Sequence, residues 1–358
     1  MKIIDIYIIK KFLGTFFYAI SLLIIIVIVF DVSENIDEFL DRNAPLHEIL
    51  FNYYLNFIPY FINLFSYLFT FISVIFFTSK MAYNSEIVAI LSSGVSFYRM
   101  LRPYMISALL LAAMSFYLSN FLIPKTNIQR REFKDKYIEG LEQDLEKNIH
   151  MQINPGTFVY MEYYNTSGNT GQKFTLEEIR NNQLRVKLTA ERIRWDSASG
   201  RWELFNYFIR EIRDTSENLR RGRSLDTTIK LKPEDLLVIK EDFEEMNYWQ
   251  LRAKIESERL KGSQDVKVYE IEHHKRMASP FATIVLTLIG VSLSSRRVRG
   301  GIGMHLGLGI AITFAFILFL QISTVFATNG NLSPSLAAWV PNIIFGIVAA
   351  FLIRIAPK

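Results

Sequence analysis

The sequence has no cysteine, which excludes disulfide bonds, thiolate metal sites and cysteine nucleophiles. It also lacks the GxxxxGK[ST] loop that cradles nucleotide phosphates and the HExxH motif of zinc hydrolases. His273 and His274 adjoin Glu272, but neighbouring side chains point in different directions, so we interpret them as a solvated turn. We therefore expect no catalytic residues, no metal and no cofactor, and any ATP hydrolysis would occur on another chain.

Charged residues are almost absent from six long apolar segments, and 50% of all residues are hydrophobic. A helix needs about 20 apolar residues to cross the hydrocarbon core of a bilayer. The segments that meet this requirement are 12–30, 57–77, 104–123, 278–294, 304–327 and 336–353. Carriers driven by ions or protons usually need ionisable residues at the membrane midplane. The six segments contain almost none, and the main exception, His305, lies near one end of the fifth segment. This scarcity favours an apolar substrate and energy supplied from elsewhere.

Lys and Arg are placed unevenly among the short connections. They cluster at the N-terminus, in the loops after the second and fourth segments and in the C-terminal tail, whereas the acidic loop 31–50 has only Arg42. By the positive-inside rule, both termini are cytoplasmic and the insert 124–277 is extracytoplasmic. The net charge of +5 is modest, and we expect no nucleic acid among the partners.

The insert changes from a helical to a strand pattern along its length. Residues 124–149 are charged and predict a helix, and from about 150 apolar residues alternate with polar ones, as in 184–190. The alternation then slips by one residue before Ile193, which indicates a bulge. Residues 196–200 predict a turn, 202–212 a return strand and 243–260 a helix with an acidic start. Short strands with such turns are typical of a sandwich or jellyroll.

Two further features suggest function. Segment 82–94, here called the coupling segment, predicts a short amphipathic helix. Asn84 and Ser85 are its candidate caps, it carries Glu86, Ile87, Ile90 and Leu91, and it ends at Gly94. It either docks on a soluble partner or only connects two membrane helices. Bulky side chains in the first, second and fifth segments either line a cavity for acyl chains or pack as ordinary bulk: Phe16, Phe30, Phe65, Phe314 and Phe319. The GxxxG step Gly303–Gly307 predicts close helix packing.

With these motifs, the chain resembles the LptF/LptG permeases of the lipopolysaccharide export transporter over essentially its full length. The resemblance rests on the order of the parts and on Asp5-Ile6-Tyr7-Ile8, Asn84-Ser85-Glu86-Ile87-Val88, Ser93-Gly94-Val95-Ser96, Trp202-Glu203-Leu204, His273, Arg276, Pro280 and Ala337-Ala338-Trp339-Val340-Pro341-Asn342. The opening of the sixth segment is closer to LptG.

The resemblance implies a fold of six transmembrane helices with an inserted extracytoplasmic β-jellyroll, divided into 1–123, 124–277 and 278–358. It implies a cytoplasmic LptB-like ATPase dimer, a second LptF/LptG-type permease, an LptC-like jellyroll protein, lipopolysaccharide and membrane lipids as partners. The segment around Glu86 matches the coupling helix that enters the ATPase groove. The first and fifth segments look like lateral gates through which lipopolysaccharide enters from the inner membrane.

One departure concerns the outer end of the first segment, where members of the family can carry basic residues. Here that end is acidic, from Asp31 to Asp41, so no phosphate-binding residue carries over. Two alternatives to lipopolysaccharide export stay open. One is a permease for another envelope lipid or a lipoprotein, and the other is a membrane assembly factor without transport activity.

Overall fold

The computed structural model describes residues 3–138, 146–165, 168–180, 183–197, 199–213, 216–236, 242–261, 266–296, 301–330 and 332–356. The chain divides into two compact units. A helical unit comprises Met1–Ile138, Phe243–Arg252 and Lys267–Lys358, and a sheet unit comprises Glu139–Asp242 and Ala253–Val266.

Helices dominate the first unit. In chain order the described helices are α1 Ile3–Asp41, α2 Leu46–Tyr83, α3 Glu86–Ser92, α4 Phe97–Tyr137, α5 Tyr248–Lys261, α6 Val266–Ser294, α7 Gly301–Asn329 and α8 Pro334–Ile355. All except α3 and α5 are long and apolar enough to cross a membrane, which confirms the six predicted spans. They overrun the apolar segments because polar residues continue the helical hydrogen bonds. The 39 residues of α1 extend about 58 Å, well beyond a hydrocarbon core of about 30 Å.

Close contacts with α2 organise the core of this unit. Gly290 of α6 and Gly309 of α7 both face it: a Cβ on Gly290 would lie 2.9 Å from Val74, and one on Gly309 would lie 2.3 Å from Ile75. Apart from the neighbouring backbone of α7 itself, no atom of the described residues lies within 4 Å of a Cβ placed at Gly303 or Gly307. The prediction of packing at the Gly303–Gly307 step is therefore wrong within this chain, because that face of α7 meets none of its described helices.

The second unit is built on an antiparallel sheet whose six strands follow chain order. They are β1 Glu146–Asn154, β2 Thr157–Asn165, β3 Thr170–Arg180, β4 Gln183–Asp196, β5 Arg201–Arg213 and β6 Ser216–Thr227. The sheet is open, with β1 and β6 at its edges. Trp202 is fully buried in its core, where Nε1 donates a hydrogen bond to the Leu231 carbonyl at 2.6 Å. The predicted fold class, membrane helices with an inserted jellyroll-like domain, is confirmed.

The predicted bulge in β4 has a different form. The inward-facing phase does change between Ala190 and Ile193, but the pairing of β4 with β3 and β5 keeps its register through this point. The residues opposite Glu191, Lys173 on β3 and Asn206 on β5, have positive φ angles of 50° and 52°. Neighbouring strands therefore change phase together, and the register is not shifted.

Three local predictions in the insert and its flanks are corrected. The helix expected over 124–149 ends at Tyr137, and 146–149 belong to β1. His273 and His274 lie within α6 rather than in a solvated turn, because the helix begins before the membrane span.

The acidic residues expected at the start of α5 precede it. Glu244 and Glu245 form a 3₁₀ turn, because Asn247 caps the helix instead. Its Oδ1 accepts from the backbone amides of Trp249 and Gln250 at 3.0 Å each, and Gln250 Oε1 accepts from the Asn247 amide at 2.9 Å. This reciprocal arrangement is a capping box.

Candidate coupling site

The coupling segment folds as a short helix between two left-handed residues. Ser85 precedes α3 with φ 62°, and Gly94 follows it with φ 85°. Glycine adopts a positive φ without a steric penalty, so Gly94 fits the predicted helix end. The prediction of a side-chain cap fails, because the Ser85 side chain makes no capping hydrogen bond from this left-handed position.

One face of α3 is anchored in the helical unit. Ile87 is 1% exposed and belongs to a core cluster with Ile8 of α1 and Phe97 of α4, and Ile90 and Leu91 pack half-buried against the same cluster. A helix of seven residues is too short to be stable alone in water. Its apolar side therefore holds α3 in place.

An ion pair joins α1 to the start of α4, and a hydrogen bond joins α1 to the coupling segment. The two terminal guanidinium nitrogens of Arg99, Nη1 and Nη2, donate to the two carboxylate oxygens of Asp5 at 2.7 Å each, and Asp5 is 6% exposed. Tyr7 Oη donates to Glu86 Oε2 at 3.0 Å, while Asn84 Nδ2 lies 3.4 Å from Glu86 Oε1. Paired charge-assisted hydrogen bonds fix orientation as well as distance. The first turns of α1 are thus joined to both flanks of α3.

The opposite face of α3 is open. Val88 is 59% exposed, Ala89 and Ser92 are exposed beside it, and Tyr83 and Tyr98 extend the surface at either side. More than half of the side-chain surface of Val88, Tyr83 and Tyr98 is left uncovered by the residues that the structure describes. This apolar and aromatic surface is suited to burial against another molecule.

Comparison with known proteins bears on this geometry. Residues 6–355 match the family described as Lipopolysaccharide export system permease LptF/LptG. The chain belongs to this family. Among curated proteins, no sequence matches it. Members of the LptF/LptG family are permease subunits of lipopolysaccharide export and are not themselves ATPases, and the six apolar helices agree with a multi-pass protein of the inner membrane.

In this LptF/LptG permease, the aromatic residues predicted for the lipid path occupy different environments. Phe16 is fully buried in the core formed by α1, α2 and α4, so its ring offers no surface to a ligand. Phe65 is half-buried. Phe30 on α1 and Phe314 and Phe319 on α7 are exposed. Whether these rings contact lipid stays a prediction.

Reasoning from sequence missed Asp5, Tyr7 and Arg99 as parts of the site. The available signal was the Asp5-Ile6-Tyr7-Ile8 motif, whose charge and hydroxyl stand just before an apolar span. Nothing in the local sequence indicates that this motif meets the coupling segment.

Proposed function

We propose that this permease extracts lipopolysaccharide from the inner membrane and passes it to a periplasmic jellyroll bridge, driven by a separate cytoplasmic ATPase dimer of the LptB kind. It pairs with a second LptF/LptG-type permease, and its sheet unit meets an LptC-like jellyroll protein. Both termini and α3 lie in the cytoplasm, and the sheet unit lies in the periplasm. The family match, the missing phosphate loop and the placement of Lys and Arg support this assignment.

The observation that carries the proposal is the two-sided character of α3. Its inner face is fixed by Ile87, its outer face presents Val88, and its acidic first residue, Glu86, is oriented by hydrogen bonds. A connecting helix without a partner needs no exposed apolar face and no oriented carboxylate. The ATPase would cover this outer face.

The ion pair and the hydrogen bond to α1 suggest how ATP hydrolysis moves the membrane helices. When the ATPase displaces α3, the Asp5–Arg99 pair and the Tyr7–Glu86 hydrogen bond transmit the displacement to the first turns of α1. Because α1 is one continuous helix, a tilt at this end also moves its far end. We infer that this motion opens or closes a lateral gate between α1 of one permease and α7 of its partner, beside Phe30, Phe314 and Phe319.

The proposal is tested by placing a charge on the outer face. Val88→Glu should reduce co-purification of the ATPase by at least about tenfold, because a buried, unpaired carboxylate opposes docking. The control is Leu219→Glu, which changes an equally exposed apolar side chain of β6 and should leave the ATPase bound. Glu86→Lys reverses the oriented charge and should also weaken docking. If Val88→Glu and Glu86→Lys both keep the ATPase and normal lipopolysaccharide release, the proposal is wrong.

A second variant tests transmission rather than docking. Tyr7→Phe keeps the ring and removes only the hydroxyl that donates to Glu86. We expect the ATPase to stay bound while lipopolysaccharide released per ATP falls by about threefold, as for the loss of one partly exposed hydrogen bond. The measurement is the amount of lipopolysaccharide released per ATP hydrolysed, in proteoliposomes that contain the full complex with either Tyr7→Phe or the unchanged chain. An unchanged ratio would show that α1 is not driven through Tyr7.

A further inference from the structure

A cavity of about 360 Å³ lies within the helical unit, away from the coupling segment. Its walls come from α2, α4, α6, α7, α8 and the turn before α5. Small-molecule sites in proteins typically start at about 300 Å³. The cavity is therefore large enough for one acyl chain or a compact polar group, but not for a whole lipid with several chains.

The polarity of the cavity changes along α6. Its lining begins at Glu272, Lys275 and Arg276 and continues through Ala278 to Ala282, a distance of about 15 Å along the helix. Aromatic and aliphatic side chains, including Leu64, Tyr67, Phe316 and Leu320, form much of the remaining wall, and polar side chains such as Asn63 and Gln321 lie between them. The cavity thus combines a charged end with apolar walls, as a binding site for an amphiphile requires.

Two buried amide oxygens in the wall lack a hydrogen-bond donor among the residues that the structure describes. Asn127 is 3% exposed and uses Nδ2 toward the Glu244 backbone carbonyl at 3.3 Å, and its Oδ1 has no partner. Asn342 is 7% exposed and donates Nδ2 to the Ala278 carbonyl at 2.8 Å, and its Oδ1 also has no partner. Buried acceptors are almost always satisfied in native proteins. Both positions therefore call for a donor from a bound molecule.

One cation in the wall is also without a partner. Arg276 donates to Glu272 at 2.8 Å and to the carbonyls of Met246 and Phe243 at 2.7 and 2.6 Å. Lys275, next to it, has no hydrogen bond or ion pair with any residue that the structure describes. Glu244 and Glu272 also line this end, so its formal charges balance, and the ammonium group of Lys275 is the group there that is available to pair with an anionic group of a ligand.

We propose that this cavity is a lipid site within a single permease, which takes one acyl chain attached to a phosphorylated head. The phosphate pairs with Lys275, and a hydroxyl or amide N–H at the junction of head and chain donates to Asn342, with a further head-group donor at Asn127. The chain lies against Tyr67 and Phe316. Ordinary diacyl phospholipids lack a donor at that junction, whereas lysophospholipids and the hydroxyacylated lipid A part of lipopolysaccharide have one. The site does not depend on the proposed coupling mechanism.

Native mass spectrometry of the full complex in detergent tests this site without ATP turnover. The probes are lipid A, lysophosphatidylglycerol and dioleoyl phosphatidylglycerol. We expect one of the first two to bind about tenfold more tightly than the third, and Lys275→Gln and Asn342→Leu each to weaken that binding by about tenfold. The matched control is Lys125→Gln, an exposed lysine of α4 outside the cavity wall, which should not change binding. Lys275→Arg should restore it, which separates loss of charge from misfolding.

The probe that responds identifies the source of the lipid. A response of lipid A assigns the site to the exported substrate, and a response of lysophosphatidylglycerol assigns it to the surrounding bilayer. Equal binding by Lys275→Gln and Lys125→Gln, equal binding of the diacyl probe, or no binding of any probe would overturn the proposal.

Discussion

Ile87 and Val88 are neighbours on α3, and we predict that truncating Ile87 lowers the stability of α3 whereas truncating Val88 leaves it almost unchanged. Ile87→Ala removes buried methyl and methylene groups from a site that is 1% exposed. At about 0.8 kcal/mol for each buried carbon group, plus a cavity contribution, the cost is about 3 kcal/mol. Val88→Ala shortens a side chain that is 59% exposed and should change stability by less than about 0.5 kcal/mol.

The cost at Ile87 should appear locally, because seven residues cannot stay helical once their anchor is weakened. About 3 kcal/mol corresponds to an increase of about 100-fold in the opening equilibrium of α3. Hydrogen exchange of the α3 backbone amides in the detergent-solubilised complex measures this directly. Exchange in α3 should accelerate by that factor in Ile87→Ala and stay unchanged in Val88→Ala. Exchange rates that match in the two variants would refute the assignment of the inner and outer faces.

Three further predictions concern residues outside α3. Arg99→Met should lower the melting temperature and the lipopolysaccharide released per ATP, because it leaves the Asp5 carboxylate buried without its partner, whereas the exposed Arg102→Met should do neither. Gly290→Val should destabilise the helical unit by about 1–3 kcal/mol through overpacking, while Gly346→Val, where space is open, should be tolerated; thermal melts distinguish them. Trp202→Phe should destabilise the sheet unit by about 1–3 kcal/mol, because a buried carbonyl loses its donor, and denaturant titration followed by circular dichroism would show no shift if the bond is unimportant.

The long helices and strands of this fold can be predicted from local sequence patterns. A run of apolar residues predicts each span. Alternating apolar and polar residues on both sides of the predicted turn 196–200 predict the β4–β5 hairpin. Their ends are less predictable. Polar residues at both ends of α1 continue the helix, so apolar runs define the span but not the helix.

The candidate sites depend on contacts that no local pattern reveals. Asp5 and Arg99 are 94 residues apart, and neither stands out beyond its own motif. The inward direction of Ile87 follows from the helical period, but its burial requires α1 and α4 to be in place. Likewise, Asn127 and Asn342 come from different helices, and only the folded bundle puts both in one wall.

The proposed topology puts α3 in the cytoplasm and the sheet unit in the periplasm. The chain has no cysteine, so single cysteines can be introduced without background. Val88→Cys and Ser199→Cys place a thiol at exposed positions of α3 and of the β4–β5 turn. In spheroplasts treated with a membrane-impermeant maleimide, the account predicts labelling of Ser199→Cys at once and of Val88→Cys only after lysis. Labelling of Val88→Cys in sealed spheroplasts, or protection of Ser199→Cys until lysis, would contradict it.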